Sequence, residues 1–196
     1  MSEQTKREPP VFIRYLLGLN PEKDRGVLAV LRKGASPATE TYAWPHLGRF
    51  CHLNVDTERM IHQAIAAAYA IHPENDETEF ANVGSVMCQL ANLSGERENN
   101  VCQTFDTFFR RLLTCNSVEE ICERLPRIAL MAKAKDVAIP WESLYWDLKT
   151  WNNNSNEIKR KWAAKYWQVP KQMDDLSESE DETEDSDDSS DTEVES

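Results

Sequence analysis

Glycine is scarce in this sequence, with six residues in 196, and none stands in a phosphate-binding loop or around a serine as a nucleophile elbow. The H-E-x-x-H pattern of zinc proteases and the calcium loop of EF-hands are missing as well, so the common signatures of nucleotide, hydrolase and metal-dependent chemistry are absent. Long apolar runs are lacking too. The longest, Ala64 to Ile71, is far too short to cross a bilayer, and the opening MSEQTKREPP offers no apolar stretch for a secretory signal. The expectation is a cytoplasmic chain without membrane contact. Its five cysteines, Cys51, Cys88, Cys102, Cys115 and Cys122, include no C-x-x-C pair, which argues against a zinc site and a disulfide framework and predicts reduced thiols. His46 and His52 flank Cys51 at a spacing that fits no usual ligand set, and no nucleophile can be placed beside a base. Neither a metal, nor a cofactor, nor an enzyme is expected.

What is present in excess is negative charge, formally -12, and its position matters more than its size. Thirteen of the 34 acidic residues follow Met173, in a stretch without Lys or Arg, leaving 21 acids against 22 bases in the body. The body is therefore near neutral and the acidity belongs to the C-terminal tail. A run of Ser, Asp and Glu with almost no apolar residues cannot offset the entropy of ordering. Residues 171 to 196 are expected to be disordered, residues 1 to 8 flexible, and residues 9 to 170 one helical domain.

Within that domain apolar residues recur at spacings of three and four, with no sustained alternation of period two, which predicts an all-α, compact multi-helix bundle. Pro9 and Pro10 open a short helix ended by Gly18, and Pro21 starts a second that runs to Lys33. Residues 35 to 54 read as loop or broken helical turns around Trp44. Asp56 or Thr57 caps a helix to His72, another spans about Thr78 to Leu93, and a longer one covers roughly 97 to 115. Ser117 to Glu120 has capping-box spacing and starts a helix that Pro126 is expected to kink or split. Pro140 begins a helix to Trp151, Asn152 to Asn156 form a turn, and a last helix ends near Trp167.

The basic residues become informative on helical wheels. In the second helix Arg25, Arg32 and Lys33 oppose a core face of Val27, Val30 and Leu31. In the 97 to 115 helix, Val101, Phe105, Phe108, Phe109 and Leu112 form the stripe, Arg110 points away and Arg111 flanks it. Arg124 and Arg127 have Glu120 and Glu123 as partners four residues back, and Lys133 and Lys135 suit a helix C-terminus. Trp141, Leu144, Tyr145, Leu148 and Trp151 share a face that Trp146 opposes. Arg160, Ala164 and Trp167 lie behind a stripe of Ile158, Trp162 and Tyr166. Solvated faces or a second packed layer explain any one of these features. Together they also suit nucleic-acid backbone contact with base stacking, or a protein interface.

In succession, the segments Arg25 to Gly34, Ala43-Trp-Pro45, Phe109-Arg-Arg-Leu-Leu113, Ile139 to Trp151 and Lys161 to Tyr166 resemble the CasB family, the small subunit of the type I-E CRISPR surveillance complex Cascade. The resemblance covers most of residues 11 to 168. It implies an all-helical, non-catalytic antiviral subunit, present as two copies. Its implied partners are the backbone and large subunits, the guide RNA, and the target and displaced DNA strands of the R-loop. Under it, Arg25, Arg32, Lys33, Arg110, Arg111, Arg127, Lys133 and Arg160 become candidate nucleic-acid contacts, with Trp146 and Trp167 candidate partner contacts. Pro126 and the carboxylates Glu119, Glu120 and Glu123 depart from the family pattern, and the acidic tail is no part of it. The alternative is a helical adaptor that binds only proteins.

Overall fold

The computed structural model describes residues 9–95 and 103–167. The expected flexible N-terminus, the acidic tail and the first residues of the 97 to 115 helix, Val101 included, lie outside the described residues. Among the described residues the chain is helical without strands: α1 (Val11–Leu17), α2 (Arg25–Lys33), α3 (Trp44–Leu47), α4 (Asp56–Ile71), α5 (Val83–Leu93), α6 (Gln103–Leu113), α7 (Val118–Lys135) and α8 (Trp141–Tyr166), with a 3-10 turn at Glu40–Tyr42. The all-α expectation holds.

The core is organised around α4. Every residue from Ile61 to Ala70 is buried, so the helix is apolar all round and is packed on several sides. It meets α7, α2 and α8, and its small alanines let those neighbours approach. On the far side α5 packs on α8, with α6 against α5. The α5–α8 contact is so close that a Cβ on Gly84 would stand 1.9 Å from the backbone oxygen of Trp162.

Four boundaries differ from expectation, each for a local reason. Helix α2 begins at Arg25 rather than Pro21, because the Asn20 side chain accepts the N–H groups of Glu22 and Lys23 and holds those residues in a turn. Its core face is Leu28 and Leu31, with Val27 and Val30 half-buried. Helix α5 begins at Val83, not Thr78: Asn82 caps it by accepting from Gly84 N (2.8 Å) and Ser85 N (3.3 Å), and Ser85 Oγ returns the favour to Asn82 N–H. Residues 74–76 instead pair with Ile139, through Ile139 N–H to Glu74 O and Asp76 N–H to Ile139 O. Helix α7 is not split; it runs through Pro126 from Val118 to Lys135, since Leu125, Ile128 and Ala129 are buried around the proline and packing outweighs the lost backbone bond.

The fourth difference concerns the end of the chain. Residues 141–166 are assigned as one helix, yet Asn154 has non-helical angles (φ -129°, ψ 17°). Trp151 and Trp162, eleven positions apart, bring their rings to 5.4 Å. The break expected within Asn152 to Asn156 is thus present at Asn154, as a sharp bend between two helices in place of a five-residue turn.

Candidate nucleic-acid interface

Helix α6 is fastened to the end of α8 by its apolar face. The Phe109 ring stacks on Tyr166 at 4.1 Å, and the Tyr166 hydroxyl donates a 2.6 Å hydrogen bond to the buried carboxylate of Asp106. This contact fixes which way the opposite face of α6 looks. Trp167 leans edge-on against Phe109 at 5.4 Å, and the Arg110 guanidinium lies 5.3 Å from its indole. One residue back, Phe108 is covered by the guanidinium of Arg127 from α7, at 4.8 Å. Arg110, Arg111 and Arg127 are exposed, and among the described residues none of them forms an ion pair. Two guanidiniums are therefore each held beside a ring on the flanks of α6, Arg127 by Phe108 towards α7 and Arg110 by Trp167 at the end of α8, and Arg111 is exposed on the same helix.

Among the described residues, the ion pairs expected from spacing are not formed. Arg127 stacks on Phe108 rather than pairing with Glu123. The Arg124 guanidinium bonds the backbone oxygen of Glu120, whose carboxylate instead accepts from Asn116 N–H at 2.8 Å, while Ser117 Oγ accepts from Glu120 N–H. Trp167 belongs half to the core, because the bend in α8 turns it onto Phe109; Trp146 is also half-buried, edge-on to Tyr145 at 5.4 Å.

The remaining candidates are exposed but elsewhere. Arg25, Arg32 and Lys33 lie on α2, which packs on α4, and the Lys33 ammonium stands 4.6 Å over the exposed ring of Tyr42. Lys133 is exposed near the end of α7, and Arg160 is exposed with its Nε–H bonded to the Asn156 oxygen. Wheel reasoning missed a second cationic and aromatic cleft of about 530 Å³, lined by Val11, Arg14, Tyr15, Arg49 and Phe50. There the Arg49 guanidinium lies 4.3 Å from Tyr15 and 4.8 Å from Phe50. Arg49 sits in a loop, where periodicity carries no signal.

Several of the groups that acid–base or nucleophilic chemistry would use are buried or hydrogen-bonded within the fold. Burial pushes the Cys122 thiol up to about 12 and raises Cys51 and Cys115 too. His62 donates from Nδ1 to the Glu58 backbone oxygen at 2.7 Å and burial lowers its pKa; His72 donates from Nε2 to the Val137 oxygen at 2.9 Å. Glu58 is held down at about 2, chiefly by the backbone N–H of His52 and then by its ring. Among the described residues no three His, Cys, Asp or Glu side chains gather as a metal site, and no helix is long and apolar enough to cross a membrane. What the surface offers is charge and flat rings.

Comparison with known proteins agrees with the architecture. The family model for CRISPR-associated protein Cse2 matches residues 27–167. Among solved structures, CasB from M. ruber superimposes with a TM-score of 0.61 at 24% identity, covering 80% of this chain and 90% of that one. No curated protein sequence matches.

Proposed function

This chain belongs to the CRISPR-associated protein Cse2 family, and on that premise we propose that it is a non-catalytic subunit of a Cascade complex that holds nucleic acid through sequence-independent backbone contacts. The observation that carries this reading is that, where α6 meets α7 and the end of α8, Arg110 and Arg127 are parked on Trp167 and Phe108 and, among the described residues, neither is neutralised by a carboxylate. Guanidiniums there meet phosphates while the rings accept unstacked bases. Sequence need not be read by the protein when a guide RNA reads it by pairing. The near-neutral body makes each contact weak, so affinity is built from several of them acting together in the assembly.

The same reading assigns Arg25, Arg32, Lys33, Lys133 and Arg160 to supporting phosphate contacts and adds the Arg49 cleft. A second copy of the chain, the other subunits, the guide RNA and both DNA strands are the proposed partners, in the cytoplasm. The decisive experiment replaces Arg110 and Arg111 together by Ala and measures retention of the displaced strand by the assembled complex across salt. Each lost phosphate contact flattens the slope of log affinity against log salt by roughly 0.7 for a single strand. Equal affinity and equal slope in wild type and variant favour the protein-only adaptor.

A further inference from the structure

Phe80 is held where a phenylalanine should not be. Its φ of 62° lies in the left-handed region that suits glycine, and its ring is 70% exposed. The turn from Thr78 to Ala81 needs a positive φ at its third residue, a place that glycine or asparagine fills at lower cost, and non-glycine residues held there gather at sites of function. The backbone on both sides of Phe80 is pinned by hydrogen bonds. Before it, Trp141 donates its indole N–H to Glu74 O (3.1 Å), and the Asp76 carboxylate caps Thr78 N–H (2.8 Å). After it, Ala81 N–H closes a turn onto Thr78 O, and the Asn82 side chain bridges to Lys161 O (3.3 Å). Phe80 borders two clefts, one of about 330 Å³ that reaches Trp146 and Leu17, and one of about 410 Å³ that reaches Asp147.

Charge selects the occupant. Between Arg59 and Glu96 the sequence contains no Lys or Arg, while Glu74, Asp76, Glu77 and Glu79 precede Phe80 and Glu142 lines the Trp146 cleft. On the other side Lys161 is paired with Glu157 at 2.8 Å, leaving Lys165. A phosphate backbone is repelled by such a rim, whereas a protein with cations around an apolar pocket is attracted to it. We propose that Phe80 is the anchor by which this chain docks onto a neighbouring protein subunit, its ring filling an apolar pocket fringed by Lys or Arg, with Trp146 flooring the adjoining contact. This rests on the assignment to a Cascade complex and adds to it the chemistry of the partner surface. An aromatic side chain that fills a pocket at the centre of a contact, inside a polar rim, is the arrangement in which few residues carry most of the binding energy.

The probe is the guide-loaded complex purified without this subunit, titrated with the full chain and with Phe80→Ala, Phe80→Gly and the pair Glu77→Lys with Glu79→Lys. Both Phe80 variants are expected to bind at least tenfold more weakly. The Gly variant should melt at or above the wild-type temperature, which excludes misfolding as the cause. The charge-reversed pair should also weaken binding, by a factor that shrinks at high salt. Phe80→Ala binding within twofold of wild type overturns the anchor. Normal assembly with loss of DNA retention makes the occupant a nucleic acid, and loss of self-association alone makes it a second copy; either result overturns the proposal. Failure of the wild-type chain itself to bind overturns the complex assignment, and the anchor with it.

Discussion

Asp147 accepts a 2.7 Å hydrogen bond from the indole N–H of Trp162, although the two residues are 15 positions apart on what is nominally one helix. On a straight α-helix they would be separated by about 22 Å along the axis. The bond exists because α8 folds back at Asn154, and it closes the bend like a clasp. The same fold-back places Lys159 5.7 Å from the Trp151 ring and brings Trp162 against Gly84.

Burial drives the Asp147 carboxyl up to about 6 from an ordinary 3.8, against the opposing pull of the Trp162 N–H. The folded state therefore holds this proton more tightly than the unfolded chain. Its stabilising effect is complete below pH 3.8 and is lost as pH rises through about 6, a change on the order of 3 kcal/mol. Asp147→Asn keeps the acceptor and removes the titration. Relative to wild type its melting temperature should rise across that window and level off above it. Parallel curves for the two proteins would show that the carboxyl does not titrate there. Glu58 acts in the opposite sense, its contribution being lost as pH falls from 4.5 through about 2, and it cancels in the comparison.

Gly84→Ala should be severely destabilising despite the high helix propensity of alanine. The added Cβ would meet the Trp162 backbone, which has no rotamer to move. A cost of about 3 kcal/mol is expected, at the upper end for overpacking, measurable by urea unfolding.

Pro126→Ala should stabilise the protein. Alanine restores an N–H for the carbonyl of Cys122 and removes the ring from the interior of α7, where proline is intrinsically the worst helix former. A gain of about 1 kcal/mol or more by thermal melting is the expected result, since half-buried Pro126 gives up little packing.

Trp146→Ala and Trp167→Ala should both cost stability, by about 1 to 3 kcal/mol each, because both rings are half-buried against the core. They should differ in assembly. Loss of Trp167 frees Arg110 and uncovers Phe109, so strand retention falls; loss of Trp146 hollows the cleft beside Phe80, so subunit retention falls. Identical profiles for the two variants in both assays would contradict this division.

Much of this was legible in the sequence. Asp56 and His72-Pro73 bracket α4, Ser117 starts α7, Pro140 starts α8, and the exposure of Arg25, Arg32, Lys33, Arg110, Arg111 and Arg160 follows from helical period alone. The asparagine run signalled the bend but not its sharpness, which depends on Asp147 meeting Trp162. The start of α5 at Val83 rather than Thr78 is not legible, because pairing of residues 74–76 with Ile139 joins segments more than sixty positions apart. Arg127 was assigned to Glu123 on spacing. Phe108, on another helix, competes for the same guanidinium, and no local pattern contains that. Arg49 lies in a loop, where no period marks it, and the positive φ of Phe80 belongs to a turn inside the stretch that apolar spacing assigns to a helix.

The stacking of Phe109 on Tyr166 also bears on the order in which the chain folds. Helix α6 precedes α7 in sequence, yet the rings packed on its Phe109 are among the last residues of the helical body. Helix α5 is there to meet α6 as soon as α6 is made, whereas Phe109 lacks its stacking partner until α8 has been completed and doubled back. During synthesis the same residues that later frame the cationic surface are therefore the most exposed to mispairing. In the finished protein α6 should be the first helix to open in native-state hydrogen exchange.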